Sequence, residues 1–432
     1  MNSGYFFDYM RSLLGERYDD FTDAYRNKPR HKALRVNTRK ISVGDFKALF
    51  PGELKQNPLC HNSFYADVKP SLDPLYHAGL YYMQEPSASA AVAAFAPFIG
   101  SRVLDLCAAP GGKSTQAAEY MKGGVLFCND PEFKRVKALC ENIERLGVDN
   151  AIVTCRTAEA YLSAGFEEYF DTIIADVPCS GGGMMRYEQV PYSEEITLGC
   201  AARQKEILSS AVRLLARGGY MLYSTCTFSE CENEDNIKFL RSLGMETVDI
   251  PLLSGEERGI DTPNARRIYP MNFDGEGHFF CVLTKPFGGI SDLPPLRKKV
   301  KNIRFGGAEI KVASALGREF IDMDFPDCEG LKPVRVGVET AINPKTREQA
   351  FEAYYALIHA LDRDMTEKFG AVEAGESACD YLCGKQLDIS APRGYNAVLY
   401  KGYALGAGYC SAGGDGADAL KNGYPKRLRI KK

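Results

Sequence analysis

Between residues 102 and 286, short apolar runs recur at 103–106, 125–128, 151–154, 172–175, 220–224 and 279–284, each followed by a stretch with room for a helix. Runs of four to six apolar residues without polar alternation suit strands buried on both faces. Strands alternating with helices predict βαβ units and a mostly parallel sheet, hence an α/β fold. Upstream, the first 75 or so residues read as a small mixed unit with a helix near 6–14. Tyr81-Tyr82-Met83-Gln84-Glu85-Pro86-Ser87-Ala88-Ser89 then opens an Ala-rich helical run to residue 96. Downstream, Lys285-Pro286-Phe287-Gly288-Gly289 and Pro294-Pro295 mark a linker. Beyond it the pattern predicts a helix over 347–369 and short strands with turns over 386–405. The expected organisation is therefore 1–75, a central domain 76–286, a linker 287–296, a first C-terminal region 297–375 and a last unit 376–432.

At 432 residues the chain has room for several cores, and its composition is that of a soluble globular protein. A net charge of −3 does not advertise a nucleic-acid partner, but the sum conceals clusters. Residues 26–40 hold seven Lys or Arg and no acid, 297–304 hold five more, and 421–432 hold six with no acid. Any one of them reads equally well as a solvated face; three together favour phosphate contact. Fourteen irregularly spaced cysteines and no apparent signal peptide point to a reducing compartment, so a cytoplasmic protein is expected. Cys379/Cys383 and Cys226/Cys231 lack a matching second pair or nearby histidine, so no metal is expected. No run approaches the roughly 20 apolar residues of a membrane span.

The chemistry concentrates at strand ends. In Val103-Leu104-Asp105-Leu106-Cys107-Ala108-Ala109-Pro110-Gly111-Gly112-Lys113 an apolar run breaks into a Gly-rich turn before a helix-forming segment. Missing side chains at Gly111 and Gly112 let backbone approach a ligand, and the helix start offers free N–H groups. The G-x-G-x-x-G fingerprint is absent, and only Gly111-Gly112-Lys113-Ser114 matches the end of a phosphate-binding loop, so a plain strand-to-helix turn competes evenly. Asp171-Thr172-Ile173-Ile174-Ala175-Asp176-Val177-Pro178-Cys179-Ser180-Gly181 and Tyr220-Met221-Leu222-Tyr223-Ser224-Thr225-Cys226 also read as buried strands ending in polar residues and a cysteine. Open α/β sheets bind ligands at the carboxyl ends of strands, so the three segments describe one site.

Together the Gly-rich loop, the Asp-Val-Pro-Cys-Ser-Gly box and the Ser-Thr-Cys-Thr box at 224–227 resemble the Nol/Nop/Sun family of S-adenosylmethionine-dependent RNA cytosine-5 methyltransferases. Leu34-Arg35-Val36-Asn37 and the 81–89 segment resemble further boxes of that family, and 402–425 resembles the C-terminal PUA-like region of members acting on small-subunit (16S) ribosomal RNA. The resemblance implies a Rossmann-like seven-stranded methyltransferase core with one antiparallel strand near its edge. It also implies an N-terminal extension with an RNA-binding role and a C-terminal PUA-like RNA-binding region.

For the cofactor, S-adenosylmethionine, the resemblance implies that Cys107, Ala108, Ala109, Pro110, Gly111, Gly112 and Lys113 wrap the methionine and ribose portion. Asp130 would take the ribose hydroxyls, although alone it reads as a turn Asp before Pro131. Where homologues place an acid against adenine, this chain has Cys155-Arg156-Thr157-Ala158-Glu159, leaving Thr157 or Glu159 for that contact.

Cytosine C5 is a poor nucleophile, and a thiolate added at C6 converts the ring into an enamine whose C5 attacks a sulfonium methyl. By resemblance Cys226 is that nucleophile and Cys179 assists breakdown of the adduct; on the residues alone either reads as a buried small hydrophobe. Asp176 would protonate or hydrogen-bond cytosine N3, beside the cofactor. A paired base cannot reach these groups, so an unpaired or flipped target is implied, entering past Gly181-Gly182-Gly183 and Met184-Met185-Arg186. Gly182 stands where members often carry an acid. Ribosomal RNA or the small ribosomal subunit is the expected partner. Transfer RNA is the alternative substrate, and a noncatalytic RNA-binding assembly factor is the reading from another class; a DNA or small-molecule methyltransferase fits the basic flanks and box order less well.

Overall fold

The computed structural model describes residues 3–186, 191–288, 291–305, 308–340, 346–411 and 420–431. Gly289 of the linker and Lys432 of the basic tail lie outside the described residues, as do the side chains of Arg186 and Arg304.

The six expected strands form, and a seventh joins them: β1 (Arg102–Asp105), β2 (Val125–Asn129), β3 (Ala151–Thr154), β4 (Phe170–Asp176), β5 (Leu215–Thr225), β6 (Thr262–Ile268) and β7 (His278–Thr284). Their order is β3-β2-β1-β4-β5-β7-β6, with β7 antiparallel to both neighbours and the other six running one way. This is the Rossmann-like methyltransferase sheet. Short strands extend it to ten: Glu256–Gly259 beyond β6, Glu246–Thr247 along β7, and Arg335–Val336 on the outer edge of β3. Successive side chains of β2 feed opposite cores: Val125 and Phe127 one, Leu126 and Cys128 the other. That is why the strand reads as a continuous apolar run.

Helices cover both faces: α1 (Gly112–Tyr120), α2 (Phe133–Arg145), α3 (Ala158–Ser163), α4 (Glu194–Leu214) and α5 (Glu234–Ser242). Ser193 caps α4 by accepting from Ile196 N, and Glu194 and Glu195 oppose the positive end of its dipole.

Strand β6 escaped the apolar pattern because its sequence, Thr-Pro-Asn-Ala-Arg-Arg-Ile, carries two arginines, both buried. Arg267 donates to both carboxylate oxygens of Glu234, at 2.7 and 2.5 Å, and Arg266 to Ile250 O. Paired and hydrogen-bonded charge is the form in which arginine enters a core.

Before the sheet, helices Ser3–Leu14 and Tyr18–Asn27 precede a four-stranded sheet in the order Lys55–Gln56, Ser63–Tyr65, Ala33–Val36, Tyr81–Met83. The expected Ala-rich helix begins only at Pro86, and Tyr81–Met83 is an N-terminal strand, so this unit runs past residue 75. After the linker come a three-stranded meander, Lys299–Phe305, Ala308–Ala315 and Arg318–Ile321, and the strands Ala371–Glu373, Gly394–Tyr400, Tyr403–Cys410 and Lys421–Asn422. The helix expected over 347–369 is two, Arg347–Ala360 and Arg363–Phe369, because Asp362 caps the second by accepting from Met365 N.

Candidate active site

The carboxyl ends of β1, β4 and β5 border a cavity of about 540 Å³. Cys107, Ala108, Ala109, Pro110, Gly112, Lys113, Asp176, Cys179 and Cys226 all line it, with Met184. Gly111 and Asp130 are not among the lining residues.

The loop after β1 is held by its neighbours: Ala108 N donates to Asn129 O at 2.7 Å, Arg135 to Ala109 O at 2.7 Å and Asn142 to Pro110 O at 2.9 Å. Gly111 takes φ +110° as it enters α1, and a Cβ at Gly112 would press on the Tyr82 ring at 3.2 Å. Both glycines are thus required by backbone conformation and close approach. Asp105, fully buried, accepts from Ser114 Oγ at 2.6 Å, while its Oδ1 has no hydrogen-bond partner. Burial pushes its pKa to about 7, against the pull of the Ser114 bond.

Lys113 Nζ lies 2.8 Å from Asp176 Oδ2, and Ser224 Oγ donates to Asp176 Oδ1 at 2.7 Å. Burial alone would raise the Asp176 pKa; the Lys113 ammonium and the Ser224 hydrogen bond outweigh it and hold the carboxyl below its ordinary value. An ionised Asp176 accepts hydrogen bonds rather than donating a proton. Opposite it, His278 is kept neutral, its pKa pushed down to about 3 by burial and then by Lys113, and its Nε2 has no partner.

Asp130, at the end of β2, accepts from Glu132 N at 3.0 Å and lies 3.0 Å from Arg135 Nη1. Thr157 and Glu159 face a second cavity of about 310 Å³ with Pro131 and Arg156, and Cys107 borders both cavities.

Beyond β4 and β5 the two expected cysteines meet, with Cys179 Sγ 3.0 Å from Cys226 Sγ. The hydrogen bond with Cys226 and then burial raise the Cys179 pKa well above its ordinary value, so it stays a thiol. Gly183 N donates to Cys226 O at 2.9 Å. At Gly182 a Cβ would meet the Phe6 ring at 3.1 Å, so the N-terminal helix packs against this glycine.

The family described as 16S rRNA methyltransferase RsmB/F matches residues 92–284, and the N-terminal domain of 16S rRNA methyltransferase RsmF matches residues 4–86. Ribosomal RNA small subunit methyltransferase F of Shewanella sediminis is 31% identical over 90% of this chain and 89% of its own length. That of Vibrio vulnificus (strain YJ016) is 35% identical over 70% and 67%. The chain belongs to the RsmB/F methyltransferase family. Among solved structures, a methyltransferase homolog protein from Pyrococcus horikoshii is 29% identical with a TM-score of 0.58, covering 64% of this chain and 93% of its own. NSun6 from the same organism, at 22% identity and a TM-score of 0.58 over 65% and 98%, shares the fold.

As in other RsmB/F methyltransferases, the cofactor is S-adenosylmethionine, and the residues present fit it. Two buried polar atoms without partners, Asp105 Oδ1 and His278 Nε2, belong to residues lining the cavity beside the glycine cradle. Sequence reasoning passed over Asp105, although an acid closing an apolar strand was a signal in plain view. It also passed over Arg135 and His278, which no local pattern marks. The Leu34-Arg35-Val36-Asn37 box, expected to serve RNA, is buried instead. Arg35 pairs with Glu119 and donates to Gln84, Thr115 and, at 3.2 Å, Gly112 O, bracing the cofactor loop from behind.

Proposed function

We propose that this chain methylates cytosine C5 in 16S ribosomal RNA through a covalent adduct at C6. The observation that carries the reading is the pair of thiols 3.0 Å apart at the ends of adjacent parallel strands, facing the cofactor loop across one cavity. The names of the relatives carry the ribosomal substrate.

S-adenosylmethionine supplies an electrophilic methyl. Asp105 and the backbone of 107–113 hold its methionine part, Asp130 its ribose, and Thr157 or Glu159 its adenine. Cys226 Sγ, as thiolate, adds to C6, and the electron pair displaced toward C5 takes the methyl. With S-adenosylhomocysteine displaced, loss of the C5 proton to a water-borne base breaks the C6–S bond and returns Cys226 as thiolate, a step the Cys179 thiol would assist by donating a hydrogen bond to the departing sulfur. Asp176, kept ionised by Lys113, accepts from the exocyclic amino group of the base and orients Lys113, an N–H donor for N3. Glycines 181–183 and Met184 line the entry of an unpaired base. The N-terminal extension, the PUA-like region and the boundaries at 286, 296 and 375 belong to the same reading, as the parts that grip RNA around the core.

The deciding experiment is methyl transfer to small subunits and to 16S and transfer RNA, read by bisulfite sequencing. Cys226→Ala is expected to abolish transfer and Cys179→Ala to trap protein on RNA as a slow band on a denaturing gel. An active Cys226→Ala overturns the mechanism; modification of transfer RNA alone overturns the substrate; folded parent that binds cofactor yet methylates neither points to the noncatalytic assembly factor.

A further inference from the structure

The segment after β5 holds both cysteine loops at once. Glu232 is fully buried, and its carboxylate accepts from Ser180 N at 2.9 Å, Ser180 Oγ at 2.5 Å and Gln204 Nε2 at 2.9 Å. The same Gln204 amide donates to Pro178 O at 2.9 Å. Both residues flanking Cys179 are thus tied to one carboxylate and the amide bonded to it. The next residue, Asn233, does the equivalent for Cys226: its Oδ1 accepts from Thr225 Oγ1 at 2.6 Å and its Nδ2 donates to Thr227 O at 3.0 Å. A 2.9 Å bond between Ser180 Oγ and Thr227 Oγ1 joins the two halves.

No cation pairs with Glu232 among the described residues. Burial raises its pKa while the Ser180 and Gln204 donors pull it back. A buried carboxylate held only by neutral donors is an expensive device, and a hydrophobic residue would fill the space at lower cost. What the carboxylate adds is three converging acceptor bonds that no apolar side chain makes. Its charge also adds, after the Cys226 hydrogen bond and burial, to the forces keeping Cys179 protonated.

We propose that Glu232 is a positioning residue that sets the Cys179 loop against the Cys226 loop and thereby governs release of the RNA adduct. The inference rests on the two-cysteine reading above. Glu232 touches neither base nor cofactor; its effect falls on the step that needs both thiols and spares the step that needs Cys226 alone.

Glu232→Gln tests it, because an amide brings two N–H groups to a pocket already filled with donors. Gln204 cannot flip to compensate without giving up the 2.7 Å bond that its Oε1 accepts from Asn236. The expected result is unchanged S-adenosylmethionine affinity and an unchanged rate of adduct formation, kcat lower on the order of tenfold to a hundredfold with RNA KM falling alongside it, and accumulation of the covalent band. Cys179→Ala run beside it separates the two ideas. If Cys179→Ala traps adduct and folded Glu232→Gln turns over like the parent, or never forms adduct, the positioning role is overturned. If Cys179→Ala also fails to trap, the two-cysteine reading fails first. Should Glu232→Gln not fold, Ser180→Ala decides, since it removes only the hydroxyl bridge: slower release with some adduct supports the role, and parental turnover overturns it.

Discussion

Lys113 sets the charge balance of the site, because its ammonium is the largest influence holding the half-buried Asp176 ionised. Replacing it by methionine keeps the aliphatic stem and removes the charge. In the parent the Asp176 carboxyl titrates below its ordinary value of 3.8, so the acidic limb of the pH profile lies lower still than a free aspartate would place it. In Lys113→Met burial acts with less opposition and the pKa rises. The expected outcome is an acidic limb of kcat/KM moved to higher pH and a rate at neutral pH lower by roughly tenfold or more. The linkage has the same sign for stability: the parent's contribution from Asp176 is present above the ordinary carboxylate pKa and lost as pH falls through the depressed one. A pH–rate profile checks this, with calorimetry to separate cofactor binding. An acidic limb left in place would sink the assignment.

Among the elements, legibility tracked how each buries its polar groups. The six apolar strands were readable because both faces enter hydrophobic cores, and the loop after β1 because glycines at 111 and 112 announce backbone approach. Strand β6 was not, since its charge is neutralised by Glu234, a residue on α5 that no local window contains. The Leu-Arg-Val-Asn box erred in the other direction, its arginine reading as surface charge while its partner, Glu119, lay on α1. The two thiols were legible as residue types; that they meet follows from the adjacent ends of β4 and β5 together with the hydrogen bonds of Glu232 and Asn233, which no local window contains. Arg267 offers a direct test. Arg267→Ala leaves Glu234 buried without its cation and should cost about 3–5 kcal/mol in urea denaturation, whereas the double change Arg267→Met with Glu234→Leu should recover much of it. A single-variant loss below about 1 kcal/mol would mean that the pair is solvated.

Across the whole molecule, the flanking units interlock with the core instead of hanging from it. Lys40, of the N-terminal unit, donates to Ala78 O and to Arg145 O at the end of α2, and stands 3.0 Å from His359 Nδ1 on the C-terminal helix Arg347–Ala360. Arg427 meets Glu141, Glu144 and Glu352, and Arg335–Val336 closes the sheet edge at β3. This interlocking consumes the positive charge that the sequence displays. Of the eighteen basic residues in the stretches 26–40, 297–304 and 421–432, at least nine are engaged within the chain among the described residues. Lys28 pairs with Asp274, Arg35 with Glu119, Arg39 with Asp149, Lys298 with Asp322, Lys301 with Glu319, Lys426 with Glu348 and Arg427 with its three glutamates, while Lys40 is buried on carbonyls and Arg30 also has a partner within the chain. At most nine therefore remain to displace counterions from RNA. At about 0.7 counterion released per phosphate neutralised on a single strand, the slope of log K against log salt should be no steeper than about −6, where eighteen free cations would give about −13. Anisotropy titrations of a labelled 16S rRNA fragment across a salt series measure it. A slope near the steeper limit would require the internal ion pairs to open on binding, and with them the packing of the terminal units against the core.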